Sequence, residues 1–352
     1  MPPKKKTVDN TAMRELKRAI KAGAPKRLYL FHGEEAFLRD DCLSLLKGAL
    51  LPAGLEDFNL HTVQGKECSV DWIEQAVDCL PMMSERTLVV ATDFDLFGLG
   101  DKAKERLMDI LSNLPDYCCL VFVYDLLAYK APARDKLAAL LKKEEAVVNF
   151  QRQEQKTLAA WICRQFEKVG KSADSSDAEY LIFLVGDLMH DLAAEIGKIA
   201  AYAPGQRVTR ADMDAVAIPK VEAVVYQMTD AMARRDFNKA ASVLADLLHS
   251  REAPVMILSV MGKYFRQLYT ARLYLDAGKG RGELMELWGM KSGYQGDKLM
   301  DAAGRFSLPW CRYAVRRCAE TDIVLKNSYG QEGEVLTALL MELASGRRLT
   351  FS

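Results

Sequence analysis

The chain has 352 residues, 48 of them Lys or Arg and 48 Asp or Glu, so its formal net charge is zero. A neutral balance excludes a chain-wide basic field, and any contact with nucleic acid must come from a local patch. At about 100–200 residues per domain, the length predicts two or three domains of ordinary globular composition, with 50% hydrophobic residues.

Neither a membrane segment nor a metal site is predicted. The chain lacks the roughly 18 consecutive apolar residues of a transmembrane helix, and residues 1–6 lack the apolar core of a secretory signal. The eight cysteines form no Cys-x-x-Cys pair and lie mostly in apolar periodic segments, while the four histidines are scattered. We therefore expect reduced thiols, a cytoplasmic location, and no metal.

Strands and helices alternate through residues 1–150. Short apolar runs predict strands, and apolar positions three or four residues apart predict amphipathic helices between them. The predicted strands are 27–31, 58–63, 87–91, 118–124 and 146–150, and the predicted helices are 11–22, those after Gly33 and Ser69, 101–111 and 133–141. Strands that are apolar throughout and alternate with helices predict a parallel sheet covered on both faces.

The first strand, Gly33 and the following helix form the corner at which a P-loop protein holds phosphate. That loop needs a second glycine, a lysine and a hydroxyl residue, whereas Glu34 and Glu35 follow here. Asp93 ends the third strand without the paired Asp-Glu that holds magnesium, and it is expected to be solvated in a loop or to cap a helix. The segment 192–198 also lacks an arginine that could reach a γ-phosphate. We expect no catalytic residue and no nucleotide cofactor.

Beyond residue 150 the strand pattern disappears. Helices are predicted at 154–169, 176–185 and 187–202, with a short one capped by Thr209. Further helical segments are predicted at 221–234, 236–249, 254–276, 282–289, 293–303 and 307–345, the last broken near 328–330. The predicted domains are therefore 1–150, 151–217 and 218–352.

Four segments, in this order, resemble the delta subunit family of bacterial DNA polymerase III. They are Leu-Phe-His-Gly-Glu-Glu (30–35), Leu-Pro-Met-Met-Ser-Glu-Arg-Thr-Leu-Val-Val (80–90), Leu-Ala-Ala-Glu-Ile-Gly-Lys (192–198) and Ala-Glu-Thr-Asp-Ile-Val-Leu-Lys (319–326). The resemblance implies an α/β AAA+-like domain followed by an all-α lid and an all-α C-terminal collar. It also implies a noncatalytic clamp-loader subunit of the bacterial DNA polymerase (nucleotidyltransferase) holoenzyme that opens the beta sliding clamp and joins other loader subunits through its collar.

Pro81, Met82 and Met83 are the candidate clamp-binding residues. Pro81 stops the preceding apolar helix, and two adjacent methionines at a helix end cannot both easily face inward. In the delta family this position carries an apolar pair, commonly aromatic, that fills a hydrophobic pocket of the clamp; Met-Met departs from that pattern. The alternative is that both methionines cap the domain's own core.

Tyr329 and Lys326 are the candidate DNA-binding residues. Serine and glycine flank Tyr329 on a predicted turn, where its ring could stack on a base at the primer–template end while Lys326 neutralises a phosphate. The alternative is that Tyr329 fills a helix junction. Basic residues in 1–27 and basic-aromatic neighbours in helix 254–276 are further candidates, the latter with a core stripe as the alternative.

Two other functions remain open on the sequence alone. One is an active ATPase or helicase-like AAA+ subunit with an altered phosphate loop. The other is a helical adaptor unrelated to replication. Nucleotide binding distinguishes the first, and copurification with the clamp and loader subunits distinguishes the second.

Overall fold

A computed structural model describes residues 8–234, 236–290, 293–327 and 330–345. These residues form two compact units that divide between Gln153 and Glu154. The first unit is an α/β domain, and the second is built from helices. The predicted fold class, a parallel α/β sheet followed by a helical part, is confirmed.

One parallel sheet forms the centre of the first unit. Its strands are β1 (Leu28–His32), β2 (Leu60–Gln64), β3 (Thr87–Thr92), β4 (Cys118–Val123) and β5 (Val147–Asn149), in the order β2-β3-β4-β1-β5. Every residue of the central strand β4 is buried, as expected for a strand covered on both faces. The helices of this unit are α1 (Thr11–Lys21), α2 (Ala36–Leu50), α3 (Glu56–Asn59), α4 (Val70–Asp78), α5 (Asp101–Ser112) and α6 (Lys136–Lys143).

In the first unit, two predicted boundaries were wrong for local reasons. The strand predicted from residue 58 begins only at Leu60, because Glu56–Asn59 form a helical turn. The helix predicted from residue 133 begins at Lys136, because the carboxylate of Asp135 accepts hydrogen bonds from the first backbone N–H groups of that helix.

The parallel arrangement gives the sheet two chemically different edges. The carboxyl ends of the strands meet at one edge, where Gly33, Asp93 and Asp125 follow β1, β3 and β4. The amino ends meet at the opposite edge, where Asn59 precedes β2 and the segment 79–86 precedes β3. Candidate nucleotide chemistry and the candidate clamp-binding residues therefore lie at opposite edges.

The second unit has an apolar core through which the 23-residue helix α13 (Pro254–Asp276) runs. Met261, Phe265 and Leu268 of this helix are completely or almost completely buried. The indole N–H of Trp310 donates to the Leu343 carbonyl at 3.2 Å and joins α16 (Leu308–Asn327) to α17 (Glu332–Ser345). The helices are α7 (Gln155–Lys168), α8 (Ser175–Val185), α9 (Met189–Tyr202), α10 (Arg210–Val216), α11 (Val221–Ala233), α12 (Phe237–His249), α13 (Pro254–Asp276), α14 (Arg281–Trp288), α15 (Gly293–Arg305), α16 (Leu308–Asn327) and α17 (Glu332–Ser345).

The predicted cap of α10 is confirmed, since the Thr209 and Asp212 side chains each bond the other's backbone N–H. Among the described residues, no helix has both the length and the apolar character that crossing a membrane requires.

Candidate functional site

The loop between α4 and β3 exposes a cluster of large apolar side chains at the amino edge of the sheet. Leu80 is 72% exposed, Met82 55% and Met83 86%. Pro81, between them, is half-buried. The two methionines therefore do not belong to the domain's own core, which was the alternative left open by the sequence.

Asn59 holds the backbone of this loop in place. Its side-chain amide accepts a hydrogen bond from the Met82 N–H at 2.8 Å and donates one to the Met82 carbonyl at 2.9 Å. The same Nδ2 donates to the Leu55 carbonyl at 3.0 Å. Asn59 is fully buried, so water does not compete for these bonds. The loop is thereby fixed to the turn that precedes β2.

Met83 adopts a left-handed backbone conformation, with φ of 52°. Such a φ is uncommon for a residue other than glycine. Beyond it, the hydroxyl of Ser84 donates to the Arg86 carbonyl, and the Arg86 guanidinium donates to the Pro25 carbonyl at 3.2 Å. The loop is thus anchored on both sides of the two exposed methionines.

Two neighbouring features were not identified from the sequence. Phe58, 54% exposed, directly precedes Asn59 and so lies at the same edge of the sheet. A groove of about 720 Å³, lined by residues 48–52, borders Met83. The sequence pattern predicts a strand at residue 58, so it does not indicate that the α3 turn contacts residues 79–86, called the methionine loop below.

At the carboxyl edge, the β1–α2 corner closes on the end of β5. Gly33 has a φ of 128°, and a Cβ atom there would clash with the backbone of Phe150. The N–H of Glu35 donates to the Phe150 carbonyl at 2.9 Å. Glu35 is buried at the start of α2, whereas Glu34 is exposed and pairs with Arg152 at 3.5 Å. Of the two glutamates, only Glu34 presents its carboxylate to solvent.

Asp93 has a structural role at this edge. Its buried carboxylate oxygen Oδ1 accepts hydrogen bonds from the N–H groups of Asp125, Leu126 and Leu127 at 2.9, 2.9 and 3.0 Å. Oδ1 of Asp93 thus caps the turn after β4, a role that differs from the loop solvation or helix cap expected from the sequence, because the side chain is buried against that turn. A hollow of about 520 Å³ between the ends of β2 and β3 is bordered by this same turn.

The basic residue of segment 192–198 is held in an ion pair, and the described residues contain no cluster that could hold a catalytic metal ion. The ammonium group of Lys198 donates to Glu195 at 2.7 Å on α9. Within the described ranges, no three His, Cys, Asp or Glu side chains are grouped so that they could hold a metal ion.

Of the two candidate DNA-binding residues, the structure describes Lys326. Lys326 is largely exposed and pairs with Asp322 at 2.6 Å, one helical turn earlier. Tyr329 lies outside the described residues. In α13 the aromatic residues Tyr264 and Phe265 are buried, so these two cannot stack on a base, while Lys263 and Arg266 face solvent. This helix therefore has the core stripe and solvated charged face that formed the alternative interpretation.

Comparison with known proteins gives consistent matches. Residues 29–151 match the family "DNA polymerase III, delta subunit", and residues 222–343 match "DNA polymerase III delta subunit, C-terminal domain". The DNA polymerase III subunit delta of Bacillus subtilis is 22% identical over 93% of this chain and 95% of its own length. A probable DNA polymerase III subunit delta of Aquifex aeolicus is 25% identical over 76% of this chain and 77% of its own length.

Among solved structures, the Bacillus subtilis DNA clamp loader delta protein has a similar fold. It superposes with a TM-score of 0.55 at 20% identity, covering 94% of this chain and 99% of the other.

Proposed function

From the premise that this chain belongs to the DNA polymerase III delta subunit family and is a clamp-loader delta subunit, we propose that it binds the beta sliding clamp through Met82 and Met83. In this role it stabilises the open form of the clamp ring, so that the clamp can be loaded onto primed DNA. It does so without ATPase activity of its own.

The exposed, anchored methionines are the observation that supports clamp binding. Interface energy is concentrated in a few apolar anchors that become buried on binding. Methionine suits this role because its unbranched, polarizable side chain adapts to an apolar pocket. With Met82 and Met83 55% and 86% exposed, both have substantial apolar surface left to bury in a partner.

Ring opening follows from differential affinity. A ligand shifts a conformational equilibrium only by the difference between its affinities for the two states. The subunit would therefore bind the open ring more tightly than the closed ring, and the apolar anchors would supply most of that binding energy. ATP binding by neighbouring loader subunits would expose or hide this surface.

Three observations support the absence of nucleotide chemistry. Gly33 is closed against Phe150, Glu34 and Arg152 form an ion pair at the corner, and Oδ1 of Asp93 already accepts three backbone N–H groups. No lysine follows Gly33 in residues 34–39 to pair with a phosphate in the way a P-loop lysine does. These features favour a structural domain over the ATPase or helicase-like alternative.

The remaining partners would be reached through the second unit. Ile323 and Val324 of α16 and Met341 of α17 are 66%, 51% and 67% exposed on neighbouring helices, which supports contact with other loader subunits there. Primer–template DNA would be met only within the assembled loader. We place this work in the bacterial cytoplasm, with no membrane partner.

The test is clamp binding by the purified subunit. The double change Met82→Ala and Met83→Ala should weaken binding of the cognate sliding clamp at least thirtyfold, equivalent to about 2 kcal/mol, while leaving the melting temperature nearly unchanged. Met256→Ala is the matched control, because Met256 is 53% exposed but lies on α13 in the other unit. Equal clamp affinity for the double variant and the wild type would contradict the proposal.

A further inference from the structure

We propose that Asn59 is the positioning residue that presents Met82 and Met83 to the clamp. This inference rests on the proposed function, and it concerns a residue that would not itself touch the partner. Asn59 is fully buried, and its side chain bonds both the N–H and the carbonyl of Met82.

The chemistry of the bond pair requires an amide. Asn59 Oδ1 accepts from the Met82 N–H, and Asn59 Nδ2 donates to the carbonyls of Met82 and Leu55. Aspartate has no donor to offer those carbonyls, and alanine has neither donor nor acceptor. Glutamine carries both groups but is one methylene longer. Among these side chains, only asparagine provides the bonds at this distance from the α3 backbone.

Holding both backbone polar groups of Met82 fixes the orientation of the loop. The peptide groups on either side of Met82 are each held by one bond to the same side chain, so the residue cannot rotate without breaking them. Immediately after it, the left-handed φ of Met83 turns the chain, and the two consecutive side chains both remain exposed. An ordinary extended strand would instead point consecutive side chains to opposite faces.

Preorganisation is what this arrangement would contribute to binding. A loop already held in its bound form loses less conformational freedom when the partner arrives. Without the Asn59 amide, the Met82 N–H and carbonyl would have to find water, and the loop would leave the protein surface to reach it. The side chains of Met82 and Met83 would then no longer be held in one orientation at the protein surface.

The experiment measures clamp affinity for four chains. They are the wild type, Asn59→Asp, Met83→Ala, and the chain that carries both Asn59→Asp and Met83→Ala. Asn59→Asp keeps the size of the side chain and removes its donor. We expect it to weaken clamp binding about tenfold in the wild-type background and less than threefold in the Met83→Ala background, because the two residues act on the same surface. Asn59→Ser, which keeps a shorter donor and acceptor, is measured alongside in case the aspartate variant does not fold.

A second measurement separates positioning from general stability. Hydrogen exchange should become fast at the Met82 amide in Asn59→Ala, which removes the acceptor of that N–H, while the amides of β4 stay protected. Val121→Ala, a cavity in β4, provides a variant of lowered stability and should keep wild-type clamp affinity.

The outcomes are distinct. Wild-type affinity in Asn59→Asp, or an equal tenfold loss in both backgrounds, would overturn the role of Asn59 while leaving the methionine site intact. Normal affinity in the Met82→Ala, Met83→Ala chain would instead overturn the site itself, and with it the positioning role.

Discussion

The buried guanidinium of Arg39, on α2, donates to the carboxylate of Asp125 at 2.7 Å, in the turn that follows β4. Arg39 also reaches the Tyr124 carbonyl at 3.3 Å, and its side chain is only 6% exposed. The charge of Arg39 is thus neutralised within the fold. Its hydrogen bonds also join α2 to the end of β4.

The first prediction concerns this ion pair. Arg39→Met should lower the free energy of unfolding by about 2 kcal/mol, because removing one partner of a buried pair leaves the other short of compensation. The loss is set below the usual range because Asp125 is 43% exposed. Urea denaturation measures it. Arg305→Met is the control, since Arg305 pairs with Asp301 at the same 2.7 Å but at the surface, where such pairs contribute under about 1 kcal/mol. Equal losses in the two variants would contradict the assigned role.

The second prediction is that the isolated subunit does not bind Mg·ATP. Calorimetry at millimolar nucleotide should show no saturable heat, because the β1–α2 corner has neither the second glycine nor the lysine that hold phosphate, and Asp93 Oδ1 already accepts three backbone N–H groups. A P-loop ATPase measured in the same buffer is the positive control. A micromolar dissociation constant for this chain would refute the prediction.

The third prediction concerns Phe58 as an additional anchor beside the methionines. Phe58→Ala should weaken clamp binding about fivefold, equivalent to about 1 kcal/mol, since a half-exposed aromatic ring at the same edge adds apolar surface to the interface. Tyr202→Ala is the matched control, because Tyr202 is 56% exposed on α9 in the other unit. If both variants bind the clamp as the wild type does, Phe58 lies outside the interface.

The fourth prediction uses the cysteines. Cys79 is exposed and Cys163 half-buried, while the other six thiols are buried. Burial raises the pKa of Cys68 to about 12 and that of Cys42 to about 11, which leaves little reactive thiolate at neutral pH. A disulfide reagent such as Ellman's at pH 8 should therefore modify one thiol per folded chain rapidly, and Cys79→Ser should remove that fast phase.

Modification at Cys79 should also report on the methionine loop, because Met82 lies three residues later in the same loop. A bulky adduct there should weaken clamp binding, whereas Cys79→Ser should bind normally. Rapid labelling of several thiols in the folded wild type would instead show that the buried cysteines are reachable.

The fifth prediction concerns DNA in the assembled loader. Tyr329→Ala should weaken primer–template binding by about 1–3 kcal/mol, the usual contribution of stacking on one base, and leave clamp binding by the isolated subunit unchanged. Lys326→Ala should reduce the salt dependence by about one phosphate, although Lys326 must first leave its surface pair with Asp322. Equal affinities of the wild-type and Tyr329→Ala loaders at one salt concentration would refute the stacking role.

The sequence predicted the sheet well because its signals are local. Continuously apolar segments such as 118–124 indicate buried strands without any knowledge of their neighbours. The exposure of Met82 and Met83 was also suggested locally, because Pro81 ends the apolar helix before them. Local capping explains the late start of α6, where the Asp135 carboxylate accepts hydrogen bonds from the first backbone N–H groups.

Asn59 could not be found in this way. Its hydrogen bonds to Met82 join residues 23 positions apart. Nothing in the segment Glu56–Asn59 predicts a partner that far along the chain. The sequence pattern predicts a strand from residue 58, so it does not indicate the helical turn that brings Asn59 to Met82. Such a residue becomes visible only when burial and long-range hydrogen bonds are known together.

The hydrogen bonds of Asp93 restrict which substitutions this domain could accept. Its Oδ1 now satisfies three backbone N–H groups at the end of β4, so replacing it to rebuild a magnesium site would leave those donors to be paired anew. A second glycine and a lysine introduced at the β1–α2 corner would therefore not by themselves create a magnesium site. The carboxyl edge is part of the scaffold, so a change there affects the turn after β4 as well as any ligand.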